Sequence, residues 1–212
     1  MLKLYTYFRS SAAFRVRIAL NYKGLAYEPV FVSLVKDEHR SADYQALNPQ
    51  ALVPALVDDQ RVISQSLAII EYLDETQPGP RLLPSDGLQR ARVRSLSLLV
   101  AAEMHPLNNL RVLKYLRGPL AQPESAVNTW YRHWVQEGLA AYERELAAQP
   151  GHRFSLGDTV SLADVCLVPQ IFNAKRFETD LSPYPAVMQV FEACMALEAF
   201  QKAQPSAQPD AV

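Results

Sequence analysis

Cysteine is scarce in this 212-residue chain: Cys166 and Cys194 are the only two. Without a C-x-x-C pair they exclude a disulfide framework and thiol–disulfide exchange, and they point to a reducing, cytoplasmic setting. Charge of one sign is lacking too. The 21 Lys and Arg residues against 22 Asp and Glu leave a formal net charge of −1, which argues against the basic face a nucleic-acid binder needs. No apolar run approaches the roughly 20 residues of a membrane helix, and residues 1–7 lack the apolar core and small-residue cleavage site of a secretory signal. His39, His105, His133 and His152 are scattered, without the paired spacing of a zinc site, so no metal is expected. P-loop, dinucleotide fingerprint and G-x-S-x-G elbow are all missing. Any catalysis here must borrow its reactive group.

What is present is an ordinary globular composition, 49% hydrophobic and 20% charged, punctuated by proline more than glycine. Leu2 and Leu4 alternate with polar neighbours, as in a short strand. Residues 10–22 switch to helical spacing, with Phe14, Ile18 and Tyr22 on one side and Gly24 at the C′ position. Residues 27–32 read as a second strand, whose Pro29 suits an edge. A weak helical stretch covers 41–47. Two short strands then flank Asp58-Asp59-Gln60 as a hairpin, and 64–75 forms a helix burying Leu67, Ile70 and Leu73. The order β-α-β, α, β-β-α describes a thioredoxin-like α/β domain over residues 1–80.

The proline-rich stretch 76–84 marks a domain boundary. Beyond it strand signals cease, so 86–212 is expected to be an all-helical domain. One long helix is expected from Asp86 to about Arg117, a second over 125–148 with Trp130, Trp134, Leu139, Tyr142 and Leu146, and a late one over 184–201. Ser161-Leu162-Ala163-Asp164 fits an N-capping box that nucleates a core helix and does no chemistry. Residues 203–212 read as a surface-hugging or disordered tail.

Two places combine serine with a helix start. Ser10 and Ser11 follow a strand and open a helix, where hydroxyls, backbone N–H groups and the positive end of the helix dipole favour an anion. One of the two serves as the N-cap. Gln65-Ser66 opens another helix, and it suits a carboxylate or simple capping equally.

The stretch around them, Ser10-Ser11-Ala12-Ala13-Phe14-Arg15-Val16-Arg17-Ile18-Ala19-Leu20, closely resembles the serine-rich motif of zeta-class glutathione transferases. The likeness continues in order through Ala46-Leu47-Asn48-Pro49, Val53-Pro54 and Gln65-Ser66 with the helix after them. It extends to His105-Pro106-Leu107-Asn108-Asn109-Leu110-Arg111 and to Ala174-Lys175-Arg176-Phe177. The resemblance implies the glutathione-transferase fold, with the 86–212 domain completing the substrate site, and a homodimer. It implies glutathione as cofactor, with Ser11, favoured over Ser10, holding the thiolate. It also implies that Val53, before a cis proline, presents its backbone to the cysteinyl part, and that Gln65 and Ser66 take the γ-glutamyl end. His39 falls to the glycyl end, and His105, Asn109 and Arg111 to further glutathione contacts.

Arg9 and Arg176 are expected to bind the carboxylates of a small dicarboxylic keto acid, guanidinium gripping carboxylate bidentately. Of Arg15 and Arg17, at least one is expected to be ion-paired or solvated. The implied reaction is glutathione-dependent cis–trans isomerisation, of maleylpyruvate first and maleylacetoacetate second. A general glutathione-conjugating transferase is the rival. Ala12 stands where the family usually has cysteine, so a mixed disulfide with glutathione cannot form at that position.

Overall fold

The computed structural model describes residues 1–211, which fall into two compact units. The first comprises Met1–Leu83 together with the chain from Met195 on, and the second comprises Pro84–Cys194.

The first unit is built on a four-stranded mixed sheet in the order β2-β1-β3-β4. Strand β1 (Leu2–Thr6) pairs in parallel with β2 (Tyr27–Phe31) and antiparallel with β3 (Ala55–Asp58), which forms a hairpin with β4 (Arg61–Ser64). Pro29, opposite Leu4, lies on the edge strand, where a missing N–H leaves no ladder bond unmade. Between β1 and β2 runs α1 (Ser11–Tyr22). It ends in a Schellman turn: Leu25 N–H donates to Leu20 C=O at 2.9 Å and Gly24 N–H to Asn21 C=O at 3.1 Å. Gly24 sits at φ +68°, a conformation costly to any side chain. The weak helix expected over 41–47 is α2 (Ala42–Leu47), capped by Ser41 Oγ on the Tyr44 N–H, and a 3₁₀ turn (Glu38–Arg40) precedes it. Helix α3 (Ser66–Thr76) completes the βαβ-α-ββα order. It buries Ile69, Ile70 and Leu73, whereas Leu67 is only half-buried.

The proline-rich connector is tied to this unit. Asp74 on α3 accepts from Lys23 Nζ at 3.2 Å and from the backbone N–H groups of Leu82 and Leu83 at 2.8 and 3.2 Å. Both charges are buried. Removing Asp74 would leave the Lys23 ammonium without a counter-charge in a dry interior, at a cost of about 3–5 kcal/mol. The division therefore falls after Leu83.

The second unit is helical: α4 (Gly87–Leu98), α5 (Leu110–Arg117), α6 (Glu124–Ala147), α7 (Leu162–Arg176) and α8 (Pro185–Met195). The long first helix expected here is broken. After α4 the chain widens into a π-helical turn (Leu99–Met104), in which His105 N–H reaches Val100 C=O at 2.9 Å. Pro106 then ends the ladder because it has no N–H to donate, although His105 before it keeps helical dihedrals. Asn109 starts α5 afresh, its Oδ1 accepting from the Arg111 N–H at 3.1 Å. Gly138 on α6 lets that helix meet the π turn closely, since a Cβ there would collide with the Met104 side chain.

Helix α7 is the core helix of this unit, buried from Leu162 to Ile171. Its capping box is formed as expected. Asp164 accepts from Ser161 N–H at 2.8 Å, Ser161 Oγ at 2.9 Å and Ser155 N–H at 2.8 Å. Full burial pushes the Asp164 carboxyl above its ordinary pKa, and the bonds from Ser155 and Ser161 pull the other way.

The late helix is also two helices. It stops at Met195 and resumes as α9 (Glu198–Ala203), followed by a 3₁₀ turn (Pro205–Ala207). Helix α9 packs on α1. The chain from Met195 thus belongs to the first unit and not to the helical domain expected over 86–212, and the tail is ordered through residue 211. Val212 lies outside the described residues.

Candidate functional site

In the first unit two helix N-termini carry the expected serines, and the two differ in kind. At α1, Ser10 is the N-cap in extended conformation, and its Oγ accepts from the Ala13 N–H at 3.2 Å. The first intrahelical bond runs from Phe14 N–H to Ser10 C=O at 2.8 Å. The positive end of the dipole thus lies at Ser11 and Ala12. Ser11 is the buried first residue of the helix.

At α3 the preceding residue, Gln65, makes no side-chain cap and sits at φ +70°. A non-glycine residue there is strained, and such strain clusters at ligand sites. The Gln65 amide is occupied elsewhere, donating from Nε2 to Gln50 Oε1 at 2.7 Å. Buried Ser66 is the first residue of α3, and its Oγ accepts from Arg15 Nη1 on α1 at 3.4 Å. Arg15 therefore bridges the two helix starts.

Between them lies the loop before β3. The Val53–Pro54 peptide is cis. Leu52 C=O accepts from Tyr44 Oη at 2.7 Å and from Asn48 Nδ2 at 2.8 Å, so α2 fixes the segment that carries Val53. Burial pushes the Tyr44 hydroxyl up to about 12. Val53 itself packs with Tyr7, Phe8, Val32 and Tyr44 in one apolar cluster. His39 stands in the 3₁₀ turn, Nε2 3.9 Å from Asp37 Oδ1. Arg9 is exposed, its guanidinium 4.8 Å over the Phe8 ring.

Neither Arg15 nor Arg17 is solvated. Both are buried, because α1 is enclosed all round and buries residues on every face from Ala13 to Leu20. The groups that Arg17 grips are backbone carbonyls and a hydroxyl, not carboxylates: Ala203, Tyr7 and Phe8 C=O at 3.0–3.3 Å and Thr6 Oγ1 at 3.0 Å. Desolvation lowers its pKa to about 10.

In the second unit, His105 and Asn109 do meet, though in the turn between two helices and not on one continuous helical face. Asn109 Nδ2 lies 3.4 Å from His105 Nε2. Because Asn109 Oδ1 is turned to the Arg111 N–H, its NH₂ faces the imidazole. Arg111 begins α5 with an exposed side chain. Arg176 is the exposed last residue of α7, 5.0 Å over the Phe177 ring, which stacks on Tyr131 at 3.7 Å. The Tyr131 hydroxyl is buried with no hydrogen-bond partner among the described residues. Burial pushes its pKa upward, and the charge of Arg176 partly offsets this.

Sequence reasoning missed Gln50, the partner of Gln65, and the bridging role of Arg15. The alternation Arg15-Val16-Arg17 held a usable signal: side chains two apart on a helix cannot share a face, so two buried arginines require a helix enclosed on every side. Among the described residues no cluster of His, Cys, Asp or Glu could hold a metal ion, and no helix is long and apolar enough to cross a membrane. Both cysteines are buried, and burial raises the pKa of Cys194.

Comparison with known proteins gives two family matches. Residues 4–81 match the glutathione S-transferase N-terminal domain, and residues 135–193 match the glutathione S-transferase C-terminal domain. The chain is 50% identical to a maleylpyruvate isomerase of a Ralstonia species over 210 residues, 99% of each chain. It is 49% identical to a probable maleylacetoacetate isomerase of Vibrio cholerae over 210 residues, 98% of this chain and 97% of that one. Among solved structures it is similar to a maleylpyruvate isomerase described as a bacterial zeta-class glutathione S-transferase. That structure has a TM-score of 0.97 and 49% identity, with 99% of this chain and 100% of that one covered.

Proposed function

The chain belongs to the glutathione S-transferase family, and from that premise we propose that it is a zeta-class member that isomerises a maleyl keto acid to its fumaryl form. Maleylpyruvate is the leading substrate and maleylacetoacetate the close second. The observation that carries the reading is the pair of helix N-termini, α1 with Ser11 and α3 with Ser66, joined by Arg15.

These residues fit glutathione. Two positive helix ends, two buried hydroxyls and the strained Gln65 backbone form a donor set for an anionic peptide. Bound glutathione supplies a sulfur nucleophile that adds to the conjugated cis double bond, leaves a rotatable single bond, and departs to restore the bond as trans.

The chain's own residues make this possible. Ser10 spends its oxygen on the Ala13 N–H, so Ser11 is the hydroxyl assigned to the thiolate. A thiol brought toward ionisation at neutral pH needs about 1.4 kcal/mol of stabilisation per pKa unit. Val53 is assigned the cysteinyl backbone, Gln65 and Ser66 the γ-glutamyl carboxylate, and His39 the glycyl end. In the helical unit His105, Asn109 and Arg111 are assigned further glutathione contacts. Arg9 and Arg176 are assigned the substrate's carboxylates. Both are exposed, each rests on a phenylalanine ring, and neither has an ion-pair partner among the described residues. Charge held at those carboxylates also favours the electron-rich intermediate. A cytoplasmic homodimer completes the proposal.

Initial rates on maleylpyruvate, maleylacetoacetate and a chloroaromatic acceptor test it. Isomerisation of either maleyl acid should far exceed conjugation of the chloroaromatic. A preference for the chloroaromatic would make the protein a general conjugating transferase.

A further inference from the structure

The segment that leads into Ser10 and Ser11 does not hold its own shape. Residues 7–10 form a loop between β1 and α1, and the single bond within it is Ser10 N–H to Tyr7 C=O at 3.0 Å. Three further main-chain bonds reach it from outside. Arg17, wholly buried on α1, donates from Nη1 to Tyr7 C=O at 3.3 Å and from Nη2 to Phe8 C=O at 3.0 Å. Phe8 N–H donates to Asp210 Oδ2 at 3.0 Å, across 202 positions of sequence.

Asp210 arrives by a defined route. The chain after α8 returns along α1 from its last turn to its first. Asn21 Nδ2 donates to Ala199 C=O at 3.2 Å, and Arg17 Nε to Ala203 C=O at 3.0 Å. Beyond the 3₁₀ turn, Gln208 Nε2 binds Lys202 and Gln204 C=O at 2.8 and 3.1 Å, which directs the last stretch toward the loop. Ala211 then packs into the cluster of Tyr7, Phe8 and Val53. The carboxylate of Asp210 and the guanidinium of Arg17 also attract each other across the loop. The far end of the chain thus touches the residue 7–10 loop, which leads into Ser11, and the cluster that holds Val53.

We infer that Asp210, acting with Arg17, is a positioning residue for the glutathione site: it holds the Phe8 amide and so sets where Arg9 and the Ser10–Ser11 helix start stand. It acts through the loop and touches neither cofactor nor substrate. The inference rests on the assignment of Ser11 to the thiol, and it makes residues 199–211 a strap that belongs to the site although they lie farthest from it in sequence.

Asp210 is half-buried at the edge of the unit, so its replacement spares the core, unlike replacement of Arg17. Asp210→Ala and Asp210→Asn should be compared with the parent chain for glutathione affinity by calorimetry, for the pKa of the bound thiol by thiolate absorbance, and for melting temperature. Asp210→Ala should weaken glutathione about tenfold, the worth of one hydrogen bond to a charged acceptor. It should also raise the bound thiol's pKa. Asp210→Asn keeps an oxygen for the Phe8 N–H and should recover most of both. Unchanged affinity and thiol pKa in Asp210→Ala, whatever its melting temperature, would overturn the inference. So would an Asp210→Asn as impaired as the alanine variant. Glutathione binding is read directly, so failure of the parent to isomerise either maleyl acid would reject the proposed reaction and leave this test standing.

Discussion

Ser10 and Ser11 are neighbours to which the proposed reaction gives different duties. The Ser10 oxygen is held by the Ala13 N–H, so Ser10→Ala should cost about 1 kcal/mol of stability, the usual worth of an N-cap, with little effect on turnover. Ser11→Ala should lower kcat/KM about a hundredfold, the scale of losing one donor to a reacting anion. Urea denaturation beside steady-state kinetics separates the two; equal kinetic losses would contradict the division of labour. Tyr44 gives a test by pH. Its folded pKa of about 12 lies above the ordinary 10, so the unfolded chain releases that proton first. Stability should fall as pH rises from about 10 toward 12. Tyr44→Phe loses the bond to Leu52 C=O and starts less stable, but its decline over that window should be shallower in urea midpoints. An unchanged slope would mean that Tyr44 does not carry the effect.

Helices show how far local pattern reaches. The βαβ-α-ββα order of the first unit, the Gly24 turn and the Ser161–Asp164 box were legible in the sequence because each is decided by residues a few positions apart. The break at 99–109 was not read, although Pro106 and Asn109 were in plain view. Apolar spacing on both sides continues a helical period, and a π turn absorbs the extra residue without disturbing it. The contacts of Gln65 with Gln50 and of Arg15 with Ser66 were illegible for a different reason: they join elements distant in sequence. The capping box offers the prediction proper to an element. Asp164 is the shared acceptor for Ser155 and Ser161 at the start of a core helix. Asp164→Ala should therefore destabilise the fold by about 3 kcal/mol through buried donors left unsatisfied. Denaturation would show this as a lower midpoint, and a loss under about 1 kcal/mol would mean that α7 starts without the box.

Taken together, the chain shows that sequence order and structural grouping differ. A boundary drawn at the proline-rich connector is the natural reading of composition, but it assigns everything after the connector to the helical domain. Composition could not reveal that residues from Met195 on return to the first unit, because that return depends on Arg17 and Asn21 of α1 meeting the carbonyls of Ala203 and Ala199. The residues proposed for the site in the first unit come from family resemblance, whereas the frame that holds them is visible only in the fold.

The central claim is that glutathione carries the isomerisation and is returned unchanged. The direct measurement follows maleylpyruvate by proton NMR with the enzyme and glutathione at one-tenth of the substrate concentration. Conversion to fumarylpyruvate should run to completion, with all the glutathione recovered as free thiol and no turnover when glutathione is omitted. Conversion that stops when the glutathione is exhausted, or that proceeds equally well without any thiol, would contradict it.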